Sequence, residues 1–249
     1  MSDDQKNQQL QRPEADPQRQ PIFNLHWAVA ALCGLLLAIQ AADSLVLNDF
    51  GREQLLTWLA FVPYRLIEPD GIPGGLWPLI WTPVTHAFLH AGWEHVILNT
   101  VWLAIFATPV TLRYGAVKML ALFLLGAIAG AALFAATTFN SVQVLVGASG
   151  GIAALTGAAV RFMFQPVQIA VDPETGQRIA LGRSLATLRE VMAHPTARTF
   201  TLLWLVLNAV VPLLPLVLGG MEVQVAWQAH LGGFLFGFFA VRLLERKSA

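Results

Sequence analysis

Apolar residues in this chain gather into long blocks, six of which have the length or flanks of membrane helices. From 22 to 47 the polar positions are confined to Asn24 and His26 near the start and Gln40, Asp43 and Ser44 toward the end. A bilayer crossing takes about 20 residues of helix, which this block supplies. A secretory leader would have an apolar core of about 7–15 residues behind a short basic flank, and is not expected here. Further blocks run over 95–112, 117–136, 149–164, 200–218 and 226–244. Gly126 and Gly130 in the third block, and Gly233 and Gly237 in the sixth, have the spacing that lets helices approach closely. The pattern predicts an all-α membrane protein with six transmembrane helices.

The connections differ in character. Residues 1–21 are rich in Gln, Asp and Arg and cannot bury enough surface to order themselves, so they read as a disordered cytoplasmic tail ahead of a membrane domain over 22–249. The first connection, 48–93, carries Trp58, Phe61, Tyr64, Trp77, Trp81 and Phe88 among prolines and glycines, a mixture that suits the membrane interface better than water. Residues 165–198 form a soluble cytoplasmic insertion, with a hairpin expected around Asp172-Pro173-Glu174-Thr175-Gly176 and a short amphipathic helix over 184–193.

Composition agrees with lipid as the solvent. Hydrophobic residues make up 56% and charged residues 12%, against about 25% charged for an average globular chain, and mean hydropathy is +0.60. The single cysteine, Cys33, provides neither a disulfide framework nor a Cys-based zinc site. Net charge is zero, but its distribution orients the chain: of 15 Lys and Arg, only Arg52 and Arg65 fall in outward-facing connections, so both termini are expected in the cytoplasm. In that topology the second, fourth and sixth spans begin at the outer side, which brings His95, Ser149 and His230 toward one face.

Candidate chemistry centres on 142–160, where a β-branched, strand-like run ends in Gly147-Ala148-Ser149-Gly150-Gly151 and continues as an uncharged helix-compatible segment. Ser149 then sits where extended chain turns into helix. Glycines permit the turn and a close approach, and the free N–H groups of the first helical turn point at whatever lies beside the hydroxyl. That is the arrangement of a nucleophile with part of its oxyanion hole built in, although an ordinary N-cap serine has the same signature. Polar groups inside a membrane are costly. His95 and Asn99, spaced i, i+4 on one helix face, and His230, near the start of the sixth span, therefore each need an account. Helix–helix hydrogen bonding is the plain one, but their shared depth favours a common site.

Gly147-Ala148-Ser149-Gly150, His95-x-x-x-Asn99 and Ala229-His230-x-Gly232-Gly233, spread over six spans, resemble the rhomboid intramembrane serine proteases over about 77–244. The resemblance implies a six-helix bundle with a membrane-embedded first loop. It also implies Ser149 as nucleophile, His230 as general base, and His95, Asn99 and the Ser149 amide as oxyanion donors. His86 and His90 match histidines of that loop. Two positions depart from the family pattern: Thr82 stands where Arg often follows the loop tryptophan, and Ala153 where an aromatic residue often stacks on the histidine.

A Ser–His dyad suffices in principle, since an imidazole with pKa near 6.5 can take and return the serine proton. Asp43, Glu94 and Glu222 lie nearest the outer ends, and none has a spacing that argues for a third member. The expected activity is cleavage of transmembrane proteins near the outer face, with membrane lipid as surroundings, no cofactor, no metal and no nucleic acid, in a bacterial inner membrane. The resemblance further implies a small residue before the cut. Pro212, Pro215 and the loop 219–225 make the outer end of the fifth span the expected entry gate. Gly147-x-Ser149-x-Gly151 also fits an α/β-hydrolase elbow, which would need a soluble sheet, and His86, His90 and His95 could be read as metal ligands lacking a suitable fourth donor. A rhomboid-like protein that binds membrane helices without cutting them is the remaining alternative.

Overall fold

The computed structural model describes residues 25–173, 176–210 and 226–245. Its elements in order are α1 (Trp27–Leu45), α2 (Asp49–Leu59), α3 (Thr82–Thr85), α4 (Trp93–Tyr114), α5 (Ala116–Thr138), α6 (Ser149–Met163), β1 (Val167–Val171), β2 (Arg178–Arg183), α7 (Leu188–Ala193), α8 (Pro195–Leu205) and α9 (Trp227–Ala240). Among the described residues, α1, α4 and α5 are long and apolar enough to cross a membrane.

The bundle is organised around α6. Every residue from Gly150 to Phe162 is buried, with α4, α5 and α9 packed around it. Within lipid, helix association rests on close van der Waals contact rather than on water exclusion, so small residues set the spacing. A Cβ on Gly233 would overlap the Gly150 carbonyl oxygen, and one on Gly237 the Ala154 carbonyl. A Cβ on Gly130 would stand 2.6 Å from Ala229 O, and one on Gly232 2.8 Å from Ala129 O. Of the glycines read from the sequence as contact positions, Gly233 and Gly237 are where α9 meets α6, Gly130 is where α9 meets α5, and Gly126 is where α5 meets α6 at Ala154.

The first connection is built rather than loose. Asn48 caps α2 by accepting the Gly51 N–H at 2.9 Å. Arg65, fully buried, donates to the carbonyls of Thr57, Pro73 and Gly75 at 2.6, 2.7 and 3.0 Å. The Trp81 indole donates to Trp58 O at 2.7 Å, and the Thr85 hydroxyl to Leu59 O at 2.7 Å. Thr82 is itself buried, and the segment is clamped by Arg65. Among the described residues, the strand-like run before Gly147 pairs at one point, Leu145 with Phe61.

At the other end of the bundle, Arg113 donates to Glu245 at 2.9 Å and Tyr114 to the same carboxylate at 2.6 Å. Lys118 reaches Leu244 O at 3.0 Å. Arg161, buried, donates to Phe238 O at 2.6 Å and also holds Ala186 O. The insertion is an antiparallel hairpin, β1–β2, with a bulge between Gln168 and Ile169, followed by α7. The helix expected over 184–193 starts at Leu188, because Thr187 and Glu190 cap each other's backbone N–H at 3.3 and 2.6 Å. The fifth block begins earlier than expected, at Pro195, and passes into a π-helical turn at Val206–Val210. There Asn208 donates to Trp204 O at 2.9 Å. Pro212, Pro215 and the gate loop 219–225 lie outside the described residues, as do Glu222 and the tail.

Candidate active site

Ser149 is the first residue of α6, following Ala148 as N-cap. The opening N–H groups of a helix have no intrahelical acceptors, so those of Ser149 and its neighbours carry the positive end of the α6 dipole beside the hydroxyl. Gly147 makes the entry possible: its φ of +122° lies where side chains are disfavoured. A Cβ there would also stand 2.9 Å from His95 Nε2 and 3.8 Å from Ser149 Oγ. The imidazole and the hydroxyl therefore converge on the same few ångströms of bare backbone.

Depth follows from helix lengths. Tyr114 of α4 meets Phe162 of α6 edge to face at 5.9 Å, which aligns the C-terminal ends of the two helices. Counting back at 1.5 Å per residue, α6 begins roughly 10 Å short of the Trp93 end of α4. Ser149 is thereby recessed into the bundle and is only partly accessible.

Two histidines of the first connection hold this entry. His86 O accepts the Gly147 N–H at 2.9 Å, while its own Nδ1 bonds Thr82 O at 2.9 Å. His90 Nε2 accepts the Ala148 N–H at 3.4 Å, and its ring meets that of His95 edge to face at 5.0 Å. His95 Nδ1 in turn accepts the Ala91 N–H at 3.5 Å. The positioning work of His90 was not legible in the sequence. Its only signal was the likeness of the loop to a family pattern.

Asn99, one turn below His95 on α4, is 6% exposed, and its buried Nδ2 has no partner among the described residues. A buried donor left open is costly unless something fills the place it faces. His230 lies on the first turn of α9, half-buried, and its buried Nδ1 has no partner among the described residues. The close contacts of Gly130 with Ala229 and of Gly233 with Gly150 fix this turn against α5 and against the start of α6. No hydrogen bond joins Ser149 to His230 among the described residues. Ala153 packs in a cluster with Trp204 and Phe234, whose rings stack at 4.5 Å; Phe234 is one turn beyond His230. Of the carboxylates weighed for a third role, Asp43 pairs with Arg52 at 3.1 Å and Glu94 is exposed.

A rhomboid domain is matched over residues 78–247, well over half the chain. This chain belongs to the rhomboid family. With its long apolar helices it is an integral membrane protein. The rhomboid is 27% identical to the rhomboid protease GlpG of Yersinia pestis over 202 residues, 80% of this chain and 57% of that protein. The GlpG of Yersinia pseudotuberculosis matches to the same extent. Rhomboid-related protein 3 of Homo sapiens is 33% identical over 79 residues, 32% of this chain and 19% of that one. The rhomboid thus spans little more than half the length of the GlpG proteins it matches.

Proposed function

We propose that this rhomboid is an intramembrane serine endopeptidase that cuts transmembrane segments of other membrane proteins with a Ser149–His230 dyad. The observation that carries the proposal is the convergence of the Ser149 hydroxyl and the His95 ring on Gly147, with the open Asn99 amide one turn below. Ser149 Oγ attacks the substrate carbonyl and His230 takes its proton. The oxyanion is held by the Ser149 N–H, His95 and Asn99. His230 returns the proton to the leaving amine, and water admitted to the polar pocket hydrolyses the acyl-enzyme. A substrate helix must unwind locally to present a carbonyl, because helical carbonyls are already bonded.

In this reading α6, α8 with its continuation, and α9 join α1, α4 and α5 as six spans, and the segment between α1 and α4 is embedded in the membrane. Both termini are cytoplasmic, the cut lies near the outer face, and the home is a bacterial inner membrane. The matching GlpG proteins are named as rhomboid proteases, which supports the activity.

A second reading, helix binding without cleavage, draws on the missing Ser149–His230 hydrogen bond. Catalytic hydrogen bonds are often long before substrate arrives. The deciding experiment reconstitutes wild type, Ser149→Ala and His230→Ala with a membrane-anchored model substrate. Cleavage by wild type alone, with labelling of Ser149 by a fluorophosphonate, supports the protease. Full cleavage by Ser149→Ala would overturn the mechanism, and capture of the substrate uncut by wild type would favour the binding reading.

A further inference from the structure

The hairpin β1–β2 carries apolar side chains that the helix bundle leaves uncovered: Val167, Ile169 and Val171 are 46%, 60% and 61% exposed. Their pairing with Arg183, Ala180 and Arg178 places all six side chains on one face. A two-stranded hairpin without a packed face is marginal in water, so this face needs a partner.

The level of the hairpin is set by Arg183, which belongs to this face. Its guanidinium donates to Met163 O at 2.6 Å and Gln165 O at 2.5 Å, the carbonyls where α6 ends. Arg113, on the last turn of α4, holds the Arg183 carbonyl. The base of the hairpin is therefore level with the ends of α4 and α6 and with the turn into α5. Arg178, exposed at the far end, adds a cation to an end of the bundle that already carries Arg113, Lys118 and Arg242. Aliphatic side chains flanked by guanidinium groups at the level where spans end is the chemistry of a membrane interface.

We propose that this face rests on the leaflet surrounding the α4–α5 turn and that its partner is an anionic phospholipid surface. Val167, Ile169 and Val171 sit at the acyl boundary, and Arg178 sits on headgroup phosphates. The proposal holds whether or not the chain is a protease.

The test places an environment-sensitive nitrobenzoxadiazole label at Ile169→Cys, or at Gln168→Cys on the opposite face, in a Cys33→Ala background. The protein is reconstituted in phosphatidylcholine vesicles with or without phosphatidylglycerol. The label at 169 should be blue-shifted and quenched by doxyl-labelled acyl chains, more strongly with phosphatidylglycerol, while the label at 168 stays water-like. Arg178→Gln should remove the phosphatidylglycerol-dependent part, and Val171→Cys should repeat the result at 169. Water-like emission at both 169 and 171 would overturn the proposal. So would a blue shift without lipid quenching, which would mean that a second copy or a terminal tail covers the face. Equal quenching in the two lipids would overturn its anionic specificity.

Discussion

Replacing Gly233 by alanine tests whether glycine-mediated spacing sets the site. A Cβ at this position would stand 2.9 Å from the Gly150 carbonyl carbon and would overlap its oxygen. Carbon contacts settle at about 3.5–4.0 Å. The α6–α9 spacing must therefore grow by roughly 1 Å at this point, because both partners are helix backbone and neither can rotate away. Overpacking of this kind costs about 1–3 kcal/mol. The same displacement acts on the site, since Gly150 follows Ser149 and His230 lies one turn before Gly233. A misplacement of about 1 Å costs on the order of 100-fold in rate. Gly233→Ala should therefore melt earlier in detergent and cleave a reconstituted transmembrane substrate roughly 100-fold more slowly, with a smaller change in KM. Gly34→Ala in α1 is the control, because its Cβ would meet nothing within 4 Å, and it should leave both readouts unchanged. Wild-type melting and cleavage by Gly233→Ala would show that the Gly233–Gly150 contact does not set the helix spacing at the site.

Asn99→Ala should lower kcat by up to about 100- to 1000-fold with little effect on KM, the loss expected for one oxyanion donor; a pure rise in KM would move Asn99 to ground-state binding. Arg65→Ala leaves three loop carbonyls without their donor, at about 1–3 kcal/mol for each that stays buried. It should lower the melting temperature and open 57–75 to proteolysis, and an unchanged digest would show that Arg65 is not the clamp. Glu245 is pushed up by burial but pulled further down by hydrogen bonds from Tyr114 and Arg113, so its carboxyl lies below the ordinary value of 4.5. A depressed folded-state pKa contributes stability above the unfolded value, and that contribution is lost as pH falls through the folded one. The melting difference between wild type and Glu245→Gln should thus be present at neutral pH and close on acidification below 4.5; a difference that persisted in acid would refute the linkage.

What the sequence determined by itself was the solvent, the helical class and the short motifs. Long apolar blocks such as 117–136 admit only helices in lipid, since each backbone group must be bonded within its own segment. Gly147 to Gly151 announced a turn into a helix because only glycine takes that backbone cheaply. His95 and Asn99 share a face through helical periodicity alone. These are local properties, and local rules read them.

Tertiary structure decided what depends on residues far apart in the chain. Arg65 as the clamp of the first connection was invisible because its partners are backbone carbonyls, which leave no trace in residue identity. His90 on the Ala148 amide was hidden for a related reason: a loop must fold across the start of α6 before the two can meet. The strand-like run before Gly147 had the propensity of a strand, but among the described residues its pairing is the single bridge of Leu145 with Phe61. The spacing of α9 from α6 is set where Gly233 and Gly150 touch, and no pattern within α9 alone states how near another helix will come.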